Sequence, residues 1–238
     1  FLRAFAMLLG LVIHAPLIFY EPTVLVTFGI YDKPQPEEWI WIILIFITNW
    51  RMPLFFLLSG FFSIMIIRKR GVSKFLSDRI IRIGFTCILF CLIFDLQDKK
   101  IDFTLDHLWF LYYLLIFAFI FSLFYQIKFI KNLFTMSISP IAFVMLIFYL
   151  IMILPLALVL NSSQIADGVQ IAFLEPSKTY ADLKLGNLIY YFSFFLAGSL
   201  FYFNKKWFNS LARNKILILV SILSIVILLL QIGAGDFP

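Results

Sequence analysis

Long apolar runs separated by short polar connections dominate the chain. Seven such runs cover residues 2–20, 39–67, 80–95, 108–125, 138–160, 185–203 and 215–232. A helix of about 20 apolar residues, rising ~1.5 Å per residue, spans a hydrocarbon core about 30 Å thick. In lipid only helices and closed barrels satisfy every backbone hydrogen bond, and these runs lack the alternating polarity of barrel strands. The pattern therefore predicts an all-α fold, a polytopic transmembrane helix bundle of about seven spans.

The composition excludes an ordinary soluble protein. Of the 238 residues, 63% are hydrophobic and 13% are charged, and the mean hydropathy is +1.02. Soluble domains carry about 25% charged residues. The net charge of +6 comes from residues that border the ends of the predicted helices. Anionic lipid headgroups attract such residues, so lipid is the expected partner of this charge and a nucleic acid is not.

The charged residues of the connections predict the orientation. Basic residues concentrate after the second, fourth and sixth runs: Arg68, Lys69, Arg70, Lys74, Arg79, Arg82, Lys128, Lys131, Lys205, Lys206, Arg213 and Lys215. The alternate connections contain more acidic than basic residues. By the positive-inside rule, the basic connections and the N-terminus are predicted to be cytoplasmic.

A single domain is predicted over residues 1–238, as part of a larger bundle. Phe1 is not a methionine, an odd number of spans is unusual for a complete bundle, and the chain stops at Pro238 shortly after the seventh run. We therefore expect a few residues to be missing at the N-terminus and further spans at the C-terminus. No inverted repeat typical of secondary transporters is visible.

Ionisable groups at membrane depth are the first candidates for function, because they are costly to bury. His14 follows Arg3 by eleven residues, which places it within roughly 20° of the same helix face and ~16 Å deeper. A neutral imidazole in a low-dielectric interior accepts a proton, which suits a general base. The alternative is that His14 forms a hydrogen bond for packing alone and that Arg3 is an interfacial anchor.

Arg51 is the second deep candidate. It lies about twelve residues, or ~18 Å, from the external end of the second predicted span. Pro53 follows closely and is expected to kink the helix and free a carbonyl beside the guanidinium. Arg51 then either lines a cavity or pairs with an acid of another helix, such as Asp95, to hold the bundle together.

Four short segments, in order along the chain, carry a family resemblance. "LRAFAMLLGLVIH" contains Arg3, ten residues and His14; "RMPLFFLLSGFF" starts at Arg51; "FLSDRIIRI" contains two arginines separated by two residues; "DHLWFLYYLL" starts one residue before His107. Together they resemble acyltransferase family 3, the integral membrane acyltransferases. The resemblance covers residues 2–115, and the segments around Arg51 and His107 are most similar to the glucans biosynthesis protein C branch.

The resemblance implies an O-acyltransferase of the bacterial cytoplasmic (inner) membrane. It would move an acetyl or succinyl group from cytoplasmic acyl-CoA to a hydroxyl of an extracytoplasmic carbohydrate or glucan. His14 and Arg3 would be catalytic, with His14 acting as the base or as a transient acyl carrier. Arg79 and Arg82, three apart on one helix face, would offer forked donors to the acyl-CoA phosphates.

The resemblance also implies roles for three further residues. Arg51 would stabilise the oxyanion or bind an acyl carboxylate. His107 and Trp109 would contact the acceptor sugar, and the alternative for His107 is an anchor beside the aromatic belt at the membrane surface.

No bound cofactor and no metal are predicted. His14 and His107 are placed too differently to bracket a haem, no carboxylate cluster offers a magnesium site, and no glycine-rich loop suits a nucleotide. Cys87 and Cys91, four apart in the third predicted span, are expected to pack as small core residues. The expected partners are the lipid bilayer, acyl-CoA as co-substrate and a carbohydrate acceptor.

Two alternatives to an enzyme stay open. A transporter or flippase for a glycan or lipid-linked intermediate would use the same cavity, with His14 and Arg51 binding substrate without chemistry. A bundle that serves only as a scaffold is the third interpretation, and it leaves the spacing of Arg3 and His14 unexplained.

Overall fold

The structure is a computed structural model that describes residue 8, residues 38–98, 108–128, 131–132 and 185–204, and single positions between 139 and 153. The regular elements in these ranges are helical: α1 (Glu38–Arg70), α2 (Val72–Arg79), a π-helical segment (Ile80–Gly84), α3 (Phe85–Asp98), α4 (Trp109–Gln126) and α5 (Leu185–Phe203). The all-helical prediction is confirmed for this part of the chain.

The chain divides into two compact units. The first comprises residues 1–55, 170–173 and 219–238, and the second comprises residues 56–169 and 174–218. The described part of the first unit is mainly the beginning of α1. The second unit contains the rest of α1 and all the other helices named above, and the packing below belongs to it.

Among the described residues, three helices are long and apolar enough to cross a membrane, by length and composition: Trp50–Arg70, Trp109–Gln126 and Leu185–Phe203. The last two coincide with the fourth and sixth predicted spans, and the first covers most of the second predicted span. The first and seventh predicted spans lie almost entirely outside the described residues, and the fifth is described only at scattered positions. A membrane-spanning helical protein is thus supported, while the count of seven spans and the orientation stay predictions.

The third predicted span corresponds to the π-helical segment and α3. Cys87 and Cys91 are buried on one side of α3 and form no disulfide, which confirms them as small core residues. The other side exposes large apolar residues, among them Ile88 and Leu92. α3 alone has 14 residues, fewer than the ~20 that a crossing requires, so this span also stays a prediction.

Aromatic residues of α1, α4 and α5 form the core of the second unit. Phe56 on α1 lies 5.3 Å from Phe117 on α4 and 4.9 Å from Tyr191 on α5, between ring centroids. Phe117 also contacts Phe195 of α5, at 6.0 Å. On α4 the buried aromatic residues recur every four positions, from Tyr113 through Phe117 onward, and so share one helix face. Lipid provides no hydrophobic drive between helices, so close packing and tilted aromatic pairs hold them together.

Two glycines let α1 and α5 approach each other backbone to backbone. A Cβ added to Gly60 would overlap the carbonyl oxygen of Phe195, and a Cβ added to Gly198 would overlap the carbonyl oxygen of Leu57. Small residues allow this approach in membrane helix pairs, where dispersion and Cα–H···O contacts replace hydrophobic association. Ser63, one turn beyond Gly60, donates its hydroxyl to the carbonyl of Ser59 at 2.6 Å.

Gly71 separates α1 from the short helix α2. Its φ of 83° lies in the left-handed region, which glycine adopts without steric penalty. The Gly71 N–H donates to the Ile67 carbonyl at 2.8 Å and closes α1. α2 then buries Phe75 completely while Lys74 and Ser77 stay exposed, so it is amphipathic and leads directly to Arg79.

Candidate functional site

The structure describes only some of the predicted site residues. Arg3, His14 and His107 lie outside the described residues, so their roles stay predictions. The structure describes Arg51, Arg79, Arg82 and Trp109.

A π-helical turn follows Arg79 and contains Arg82. The turn is closed by the N–H of Phe85, which donates to the carbonyl of Ile80, five residues earlier. Such a turn holds one residue more than an α-turn, so Arg82 is rotated from the place that regular α spacing gives it. The Thr86 hydroxyl donates to the Arg82 carbonyl at 2.5 Å and so supplies that carbonyl with a donor. The prediction that Arg79 and Arg82 share one helix face assumed regular α-helical spacing and did not foresee the π-helical turn.

Arg79 is half-buried and rests on an aromatic ring. Its guanidinium carbon lies 5.3 Å from the centroid of Phe75, one turn earlier on α2. Its Nη2 is buried and has no hydrogen-bond partner within the described ranges. A buried donor without a partner costs about 1–3 kcal/mol and more when charged. The position therefore favours an anionic ligand that accepts from Nη2.

Burial lowers the pKa of Arg79 below its ordinary value, the positive charge of Arg82 lowers it further, and the negative charge of Asp78 partly offsets both. Arg82 is exposed, so an exposed guanidinium acts on a half-buried one. Asp78 lies 3.5 Å from Arg70, measured between Oδ2 and Nη1. Asp78 thus serves both Arg70 and Arg79, and among the described residues the positive charge around Arg79 exceeds the negative charge, which suits a phosphate.

Arg51 is half-buried within α1, which continues as a helix through Pro53 to Arg70. A proline inside a helix has no N–H to donate, so a carbonyl one turn earlier loses its intrahelical partner. The side chain of Asp95 lies outside the described part of the chain. The two alternatives for Arg51, a cavity residue or half of a buried ion pair, therefore both stay open.

Trp109 begins α4 and is only 9% exposed. Its ring centroid lies 5.8 Å from Tyr113 and 5.4 Å from Tyr191, so the indole packs between α4 and α5. Contact of Trp109 with an acceptor sugar stays a prediction.

Sequence reasoning missed Thr86 as part of this region. A threonine hydroxyl commonly bonds a carbonyl one turn earlier on its own helix, so the sequence contains a weak local signal for it. Nothing in the apolar pattern marks the change from α to π geometry between Arg79 and Thr86.

Comparison with known proteins gives a match along nearly the whole chain. The acyltransferase 3 family, described as "Acyltransferase domain", matches residues 1–236. "Glucans biosynthesis protein C" of Escherichia coli O1:K1 is 34% identical over 83 residues, which is 35% of this chain and 20% of that protein. The proteins of the same name from E. coli O139:H28 and O157:H7 give the same identity and coverage. The chain therefore aligns with about a fifth of the length of these relatives. No solved structure matches it with significance.

Proposed function

This chain belongs to the acyltransferase 3 family. We propose that it transfers an acyl group from cytoplasmic acyl-CoA to a hydroxyl of an extracytoplasmic carbohydrate. The family match, together with three helices long and apolar enough to cross a membrane, supports a membrane acyltransferase. The donor, the acceptor and the residue roles are the proposal.

One observation supports acyl-CoA as the donor more than any other. Arg79 holds a buried Nη2 without a described hydrogen-bond partner, beside the exposed guanidinium of Arg82. CoA carries several phosphates, and a phosphate offers oxygens that accept from two guanidinium groups at once. We assign Arg79 to the inner part of this phosphate site and Arg82 to its solvent side.

The proposed reaction proceeds through residues at membrane depth. The acceptor hydroxyl attacks the thioester carbonyl, the tetrahedral oxyanion collapses, and the CoA thiolate leaves and takes up a proton. In this route His14 removes the hydroxyl proton and returns it to the thiolate. In the alternative route, the His14 nitrogen attacks the thioester first and expels the CoA thiolate, the acceptor hydroxyl then attacks the acyl-imidazole and frees His14, and the hydroxyl proton passes to the thiolate. Arg3 would position His14 from the cytoplasmic end of the same helix. Arg51 would stabilise the oxyanion or, with succinyl-CoA, bind the free carboxylate.

The acceptor is proposed from the name of the relatives. A protein called "Glucans biosynthesis protein C" points to a glucan, and we extend this to an extracytoplasmic glucan or a related carbohydrate. His107 and Trp109 begin the fourth predicted span on the side where that acceptor would approach.

Arg79→Gln tests the donor site. Transfer is followed in membrane vesicles from radiolabelled acetyl-CoA or succinyl-CoA into glycan. Because a hydrogen bond to a charged group contributes about 1.5–3 kcal/mol, we expect KM for acyl-CoA to rise roughly 10- to 100-fold with kcat retained. Lys74→Gln is the matched control, since it removes the same charge from an exposed position on α2; it should change KM by about twofold at most.

Acyl-pantetheine, which lacks the nucleotide phosphates, separates a phosphate contact from a general effect on folding. With this donor, Arg79→Gln and the wild type should have the same KM. A KM difference that persists without the phosphates would reject the phosphate role of Arg79.

His14→Ala tests the chemistry independently. A lost acid–base group should slow transfer by about 10²- to 10⁴-fold in a normally inserted protein. Undiminished transfer would refute His14 as the catalytic residue. If the folded wild type transfers from no donor yet moves a glycan across the membrane without acyl-CoA, the transporter alternative replaces the enzyme.

A further inference from the structure

A basic and aromatic cluster lies where three membrane-length helices end. It consists of Arg68, Tyr125, Lys131, Tyr202 and Phe203, and we call it the basic–aromatic cluster. Arg68 is in the last turn of α1, Tyr125 is the penultimate residue of α4, and Tyr202 and Phe203 are at the end of α5. The apolar part of each of the three helices comes before these residues. The cluster is therefore expected at the boundary between the hydrocarbon core and the lipid headgroups.

Aromatic rings hold the two cations of the cluster. The Arg68 guanidinium carbon lies 5.4 Å from the centroid of Phe203 and 5.9 Å from that of Tyr202. The Lys131 Nζ lies 5.8 Å from the centroid of Tyr125. A guanidinium held over a ring keeps all its N–H donors at its edge, and the contact limits its rotamers before any ligand arrives. The cluster therefore presents a preorganised fork and an ammonium group.

The charge of the cluster is not neutralised by any described carboxylate. At the end of α1 only Arg70 is ion-paired within the described residues, with Asp78. Arg68 and Tyr202 both act electrostatically on the Tyr125 hydroxyl, so this third polar group lies in the field of the first cation. An anion with several oxygens would fit this cluster, because it could accept hydrogen bonds from the Arg68 guanidinium, the Lys131 ammonium group and the Tyr125 hydroxyl together.

Apolar residues next to the cluster favour a lipid over a soluble anion. Leu123, Phe124 and Ile127, which surround Tyr125 along the chain, are 51%, 40% and 50% exposed. A free phosphate has no apolar group to bury this surface, whereas the acyl chains of a phospholipid would cover it. We propose that the basic–aromatic cluster binds the phosphate of an anionic phospholipid, with the acyl chains lying along this end of α4. This site is distinct from the Arg79 and Arg82 pair and does not depend on the proposed acyl transfer.

The test compares two charge-matched double variants of the full-length protein. Arg68→Gln/Lys131→Gln removes both cations of the cluster, and Lys69→Gln/Lys74→Gln removes two exposed cations for which no ring contact is described. Each protein is reconstituted in phosphatidylcholine with a minor fraction of phosphatidylglycerol and re-extracted at about 1 M salt, where the Debye length is about 3 Å. Retained phosphatidylglycerol per protein is then measured by mass spectrometry.

We expect the wild type and the control to keep phosphatidylglycerol and the cluster variant to lose it by about tenfold, since direct contacts survive screening and diffuse attraction does not. Equal loss from both double variants would overturn the site, because it would show only a diffuse attraction of lipid to basic residues. Equal retention would also overturn it, because the two cations would then serve only to offset the negative ends of the helices.

Two further measurements address the folding of the variant and the source of the phosphate. If the double variant does not fold, Arg68→Lys replaces it, because lysine keeps the charge and lacks the bidentate guanidinium. This variant should lower the amount of retained phosphatidylglycerol severalfold. Thermal unfolding in detergent separates the two sources of phosphate: phosphatidylglycerol should raise the Tm of the wild type, and inorganic phosphate should not. An equal rise with inorganic phosphate would reject the lipid in favour of a soluble anion.

Discussion

Ser63 and Ser122 in the packed interior of the second unit and Arg79 at its basic end use their polar groups in opposite ways. In the interior, the hydroxyls of Ser63 and Ser122 donate to carbonyls of their own helices, at 2.6 and 2.7 Å. These bonds need no partner from elsewhere, so aromatic rings and glycines determine how the helices meet. At the basic end, Arg79 holds a buried donor without a described partner.

This difference separates residues that assemble the bundle from residues that bind something else. A polar group satisfied within its own helix adds little specificity, because the same bond would form in an isolated helix. A half-buried cation with surplus charge around it is stable only when an anion arrives. Binding should therefore concentrate at the ends of the helices, and packing defects in the interior should affect folding before they affect binding.

The largest expected effect is that of Gly60→Ala. Its Cβ would overlap the carbonyl of Phe195, which is backbone and cannot rotate away, so α1 and α5 must separate. We expect a loss on the order of 4–5 kcal/mol, measured as unfolding in mixed micelles. Gly84→Ala is the matched control: its Cβ would lie 3.8 Å from a methyl of Leu115, an ordinary contact. Two variants of equal stability would contradict the close approach of α1 and α5.

Phe117→Ala should have the next largest effect. The ring is completely buried among Phe56, Tyr113 and Phe195, so its removal leaves a cavity that costs about 3 kcal/mol or more. Phe119→Ala, two positions along α4, removes a ring that is 52% exposed and should change the free energy of unfolding by about 0.5 kcal/mol at most. Similar losses for both would mean that α4 does not present this face to the core.

Thr86→Val should have the smallest effect on stability and the clearest effect on binding. It removes the hydroxyl that donates to the Arg82 carbonyl, at a cost of about 1–2 kcal/mol. If the π-helical turn sets the place of Arg82, KM for acyl-CoA should rise severalfold while kcat is unchanged. Thr86→Ser keeps the hydroxyl and should restore KM. A normal KM in Thr86→Val would show that the turn forms without this bond.

Residues of the candidate site were predictable from the sequence only where a short local motif contains them. Two arginines separated by two residues identified Arg79 and Arg82 without any structure. Their unequal burial was not predictable, because it depends on Phe75 beneath Arg79 and on the π-helical turn after it. Arg68 was predicted as an orientation signal that contacts lipid. Its contacts with Tyr202 and Phe203 were not predictable, because these rings lie more than a hundred residues further along the chain.

The sequence by itself determined the class of the protein and the place of its long helices. Apolar length is a property of a continuous stretch, and the predicted runs 108–125 and 185–203 coincide with Trp109–Gln126 and Leu185–Phe203 to within a residue at each end. Only the tertiary structure decided which glycines bring α1 and α5 together, which aromatic residues are buried, and which cations lie over rings. Each of these depends on side chains from helices that are distant in sequence, and their meeting is set by packing in three dimensions rather than by any local pattern.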